Sequence, residues 1–95
     1  MTREELEATF EKFDKEHGKF NRAKSPPSKR PDLCAFLLLD RLVPGNRDII
    51  GDARHDQFFL SIDLDELAAV ATESDILTLV RCGVMIDEDG LAMFA

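Results

Sequence analysis

At 95 residues, 44% of them apolar, the chain holds enough for one hydrophobic core and too little to divide between two domains. Its formal charge of −7 hides an asymmetry: residues 1 to 31 carry eight Lys/Arg against six acids, whereas residues 32 to 95 carry thirteen acids against Arg41, Arg47, Arg54 and Arg81, a charge of −9. A body so acidic repels nucleic acid and anionic lipid and attracts a basic partner.

Thr2 followed by Glu5 is a capping-box pattern, and Leu6, Phe10, Phe13 and His17 recur on one face, so an amphipathic helix is predicted over residues 1–18, with Gly18 as its stop. Residues 19–31 then turn to Lys, Arg, Asn, Ser and Pro, which disfavour helix and interior strand, and read as a basic linker. Asp32 is placed to cap a second helix, Leu33 to Val43. That helix is apolar nearly all round, so it is expected at the centre of the core and to end at Pro44-Gly45-Asn46. Arg47 to Asp56 reads as loop. Gln57 to Ile62 reads as a strand inside the sheet, with Phe58, Leu60 and Ile62 on one side and Phe59 on the other. Asp63 with Glu66 and Thr72 with Asp75 open two further helices, the second ending at Gly83. Val84-Met85-Ile86 and Leu91 to Phe94 flank Asp87-Glu88-Asp89-Gly90, whose Asp-Gly signals a hairpin.

The expected fold is therefore α+β: four helices packed on a small, mainly antiparallel three-stranded sheet that ends in a C-terminal hairpin. Residues 32–95 form its compact core, with the helix of 1–18 and the linker of 19–31 completing one domain overall.

Few residues ask for a chemical role. His55-Asp56 has the chemistry of an acid–base or metal pair, but the other histidine, His17, sits on the predicted first helix and no set of ligands converges in the sequence. Asp63, Asp65, Glu66, Glu73 and Asp75 are accounted for by helix N-termini, where carboxylates meet unpaired N–H groups. Asp87 to Gly90 lacks the spacing and closing Glu of a calcium loop. Cys34 and Cys82 lie 48 positions apart in apolar helical patterns and read as buried, reduced thiols. No Gly-rich phosphate loop or nucleophile elbow is present, so neither cofactor nor metal is implied and no enzyme activity is expected. Without an apolar leader or a run long enough to span a bilayer, the expected location is cytoplasmic.

The stretch from Arg30-Pro31-Asp32-Leu33 through Leu39-Asp40, Leu42-Val43-Pro44-Gly45, His55-Asp56 and Leu79-Val80-Arg81-Cys82-Gly83-Val84 resembles small uncharacterised proteins of proteobacteria and their phages. The resemblance covers about two-thirds of the chain, implies a bacterial or phage origin, and carries over neither an activity nor a catalytic residue.

Two functional readings follow. The first is a small acidic protein-binding module, an accessory, inhibitor or immunity-type protein, whose candidate partner-binding residues are Asp48, Asp52, His55, Asp56, Asp87, Glu88 and Asp89. The alternative is a nucleic-acid-associated regulator that grips a polyanion with Lys19, Arg22, Lys24, Lys29 and Arg30. Only Phe20 lies among those cations to stack on a base. The edges of a small sheet and the apolar second helix also allow a homodimer.

Overall fold

Side-chain caps set most of the helix starts. Thr2 Oγ1 accepts from Glu5 N–H at 3.1 Å while Glu5 Oε1 accepts from Thr2 N–H at 2.8 Å, a reciprocal box that opens α1, Arg3–Lys12. Asp63 accepts from the N–H groups of Asp65 and Glu66 ahead of α3, Leu64–Val70, and Thr72 with Asp75 repeats the box ahead of α4, Glu73–Arg81. The start of α2, Pro31–Leu42, differs from expectation: its N-cap is Arg30, Pro31 takes the first helical position where an N–H would go unused, and Asp32 sits inside the first turn. At the other end of α1 the helix stops at Lys12, short of Gly18. A 3₁₀ turn, Asp14–Glu16, follows, and Gly18, at φ +74°, donates its N–H to Val80 O at 3.0 Å, tying the segment to α4.

The computed structural model describes residues 1–88 and 90–94. Its sheet has four strands where three were expected: β1 Ile50–Arg54, β2 Gln57–Leu60, β3 Val84–Asp87 and β4 Gly90–Phe94, in the order β1-β2-β4-β3 and antiparallel throughout. The added strand is β1, in the stretch read as loop. All five of its residues are exposed and it pairs only with β2, so it carries no buried face and no apolar alternation to betray it. Its turn is His55-Asp56, with His55 at φ +56°, a left-handed conformation that Gly or Asn adopts more readily. A bulge at Gly51 kinks the strand, and a Cβ at that position would run into Ser61 Oγ. The C-terminal hairpin forms as expected, closed by the pair Asp87 and Gly90; Asp89 lies outside the described residues.

The core lies between the helices and one face of the sheet. Phe58, Leu60, Val84, Ile86, Leu91 and Met93 share that face with Leu6 and Phe10 of α1, Cys34, Ala35 and Leu39 of α2, Leu64, Leu67 and Ala68 of α3, and Ile76, Leu79 and Val80 of α4. The opposite face carries the cross-strand row Phe59, Ala92 and Met85, none of which belongs to the core cluster. Gln57 Nε2 donates to Asp87 Oδ2 at 3.2 Å although the two residues lie in rows at opposite ends of β4, so the sheet's twist folds that diagonal over Ala92, which is fully buried. Helix α2 is less enclosed than its composition predicts. Cys34, Ala35 and Leu39 are buried, but Leu33 and Leu37, one turn apart, are 42% and 46% exposed.

The basic segment 19–31 runs against the body. Phe20, in a 3₁₀ turn Phe20–Arg22, packs on the core, Arg81 Nη1 donates to Arg22 O at 3.0 Å, and Cys34 Sγ donates to Ser28 O at 3.0 Å. These contacts give the proline-rich stretch a fixed course over α2 and α4.

Candidate functional site

Beside the outer edge of β3 runs a groove of about 490 Å³, lined by Glu7, Phe10, Glu11, Asp14 and His17 on one side and by Val80, Val84, Met85 and Ile86 on the other. Its origin is the helical period of α1 and the turn after it. Leu6, Thr9 and Phe10 face the core, which leaves Glu7, Glu11 and Asp14, at i, i+4 and i+7, in line along the flank that meets β3. The floor is apolar and one wall acidic. Arg3 Nε stands 3.7 Å from Glu7 Oε1 with both side chains about half exposed, a pairing weakened by solvent. Glu11 and Asp14 form no ion pair among the described residues.

The acids expected to bind a partner do not gather in one place. Asp48 is exposed in the loop before β1, near Phe36, Asp40 and Ile49. Asp52 lies on β1, its Oδ1 accepting from Ala53 N–H at 2.8 Å and its Oδ2 from Arg54 Nε at 3.1 Å, bonds that hold its carboxyl below the usual carboxylate range. The Arg54 guanidinium in turn lies 4.9 Å from the Phe59 ring centroid. His55 and Asp56 form the exposed tip of the β1–β2 hairpin. Asp87 and Glu88 belong to the other hairpin, beyond the opposite end of β4. Among the described residues no three His, Cys, Asp or Glu side chains group as a metal ion would need.

The basic set is also divided. Glu16 pairs with two of its members, whose side chains stay about half exposed: Arg22 Nη1 stands 2.8 Å and Lys19 Nζ 3.8 Å from Glu16 Oε2, while Arg81 reaches Glu16 Oε1 through Nη2 at 2.9 Å and Nε at 3.1 Å. The Arg81 hydrogen bonds, with Arg22 and Lys19 nearby, keep the Glu16 carboxyl below its usual value, and this one acid organises three cations. Lys24, Lys29 and Arg30 are likewise exposed and form no ion pair among the described residues. Lys24 borders a second cavity of about 380 Å³ with Pro26, Pro27, Leu37 and Arg41.

Cys34 and Cys82 are buried free thiols. Desolvation, with Cys34 nearby as a lesser cause, pushes Cys82 up to about 11, so it is a neutral thiol at physiological pH and a poor nucleophile.

Sequence reasoning missed the groove because the residues that line it fall in two halves of opposite net charge. The acids of α1 belong to a region that is positive overall, although their i, i+4, i+7 spacing is visible in the sequence. Comparison with known protein families, with curated proteins and with solved structures finds no match to this chain. No helix among the described residues is long and apolar enough to cross a membrane.

Proposed function

We propose that this chain is a small, acidic, non-enzymatic protein-binding module of the accessory, inhibitor or immunity type, acting through its surface on a basic partner. The observation that carries the reading is the groove beside β3, where apolar residues that favour association lie next to Glu7, Glu11 and Asp14. Apolar burial supplies affinity and the surrounding carboxylates, added to the acidic body, supply long-range attraction and select a positively charged partner. The capture of Lys19 and Arg22 by Glu16 supports this reading over polyanion binding, because it lowers the net positive potential of the 19–30 segment.

Affinity capture from a lysate of the native host, with and without nuclease and at two salt concentrations, tests the proposal. A stoichiometric protein that survives nuclease and is released by salt is the expected result; recovery that vanishes with nuclease treatment contradicts it.

A further inference from the structure

We propose that the outer edge of β3 takes up an extended segment of a partner protein, alternately basic and apolar, as a fifth strand of the sheet. This rests on the protein-binding reading above and specifies its site and the form of its ligand.

The two edges of the sheet are built differently. On β1 a bulge and the charged pair Asp52 and Arg54 obstruct further pairing, the usual protection of a sheet edge. On β3 the register with β4 is regular from Val84 to Asp87, and Val84, Met85 and Ile86 are uncharged. The two-residue hairpin makes Asp87 and Gly90 the closing hydrogen-bonded pair, so by alternation Met85 also bonds to β4 while the N–H and C=O of Val84 and Ile86 turn to the outer edge. Val84 is fully buried, which leaves the backbone of Ile86 as the principal docking point.

Side-chain alternation then dictates the ligand. In a strand added beside β3, one set of side chains falls on the helix side, where Glu7, Glu11 and Asp14 line the groove and favour Lys or Arg. The other set falls on the opposite face and extends the row Phe59, Ala92 and Met85, which favours apolar residues. Four residues of β3 span about 13 Å, the length of a four-residue extended segment. A second copy of this chain is disfavoured as the occupant, because pairing β3 with its own equivalent would bring two sets of these carboxylates together.

The test uses the full chain, labelled with nitrogen-15, and two capped peptides that alternate Lys and Val, one of them N-methylated at every amide. Both carry the same charge, but the methylated one has no N–H to donate on either edge and cannot complete a ladder. The expected result is saturable binding of the plain peptide at low salt, with exchange of the Ile86 amide slowed about tenfold. Affinity should fall about tenfold for the methylated peptide, and similarly for the plain peptide on the surface variant E11K/D14K. Equal binding of both peptides with Ile86 unchanged overturns strand addition while leaving charge-driven protein binding intact. Absence of binding overturns it too, and the broader reading is then judged by the capture experiment alone. An Ile86 amide already protected through self-association, seen as a dimer in sedimentation without peptide, would give the edge to a second copy and likewise overturn the proposal.

Discussion

Glu16 is the residue on which the N-terminal third is fastened, since it joins the turn after α1 to Arg81 at the end of α4 and to Arg22 beyond it. Its carboxyl is held below the usual 4.5, so its contribution to stability is complete above that value and is lost as the pH falls through the depressed folded value. Denaturant unfolding between pH 7 and pH 3 should therefore show a loss of stability on the acid side that is shallower in Glu16→Gln. His55 illustrates a second effect of a single residue. Its left-handed backbone is disfavoured for a side chain with a Cβ, and His55→Gly should be stabilising by up to about 1 kcal/mol in the same assay, the gain limited by the extra entropy of Gly in the unfolded chain. For Cys82, a thiol reagent at pH 8 should react only as the protein unfolds, because burial has raised its pKa to about 11.

Among the elements, those with a local signature, whether a cap, an apolar run or a turn pair, were legible from sequence, and β1, which has none, was not. Thr2 with Glu5, Asp63 with Glu66 and Thr72 with Asp75 announced α1, α3 and α4, because each pattern has a local hydrogen-bonding cause that survives in the fold. Replacing Thr72 by Ala removes the acceptor for Asp75 N–H and should cost about 1 kcal/mol in thermal or urea unfolding. Strand β1 was missed for an equally physical reason: its stability comes from pairing with β2, and a fully exposed strand has no apolar period to read. The length of α1 was overestimated because Phe13 and His17 continue its apolar spacing, whereas the chain leaves the helix at Phe13 and turns toward α4. Leu6, fully buried within the core, makes α1 part of the body, and Leu6→Ala should cost roughly 2–5 kcal/mol.

At the scale of the whole molecule, charge summed along the sequence is a poor guide to charge arranged in space. The division into a positive N-terminal third and an acidic remainder drew attention to Asp48, Asp52, Asp56, Asp87 and Glu88, which the fold distributes over a loop, a strand and two hairpin tips. It concealed Glu7, Glu11 and Asp14, which the fold sets along one groove against an apolar floor. That grouping depends on β3 lying beside α1, a long-range contact that no local pattern encodes. The α+β class, the four helices and the final hairpin were legible because each has a local signature; the groove was not, because it is made by packing. The claim that this groove is the functional surface is tested most directly by comparing capture of a host partner by two variants, one with Glu7→Gln, Glu11→Gln and Asp14→Asn, the other with Asp48→Asn, Asp52→Asn and Asp56→Asn. Each removes three carboxylates from exposed positions, so the change in net charge is the same. Loss of the partner from the first variant and its retention by the second is the predicted result, and retention by the first with loss from the second would contradict it.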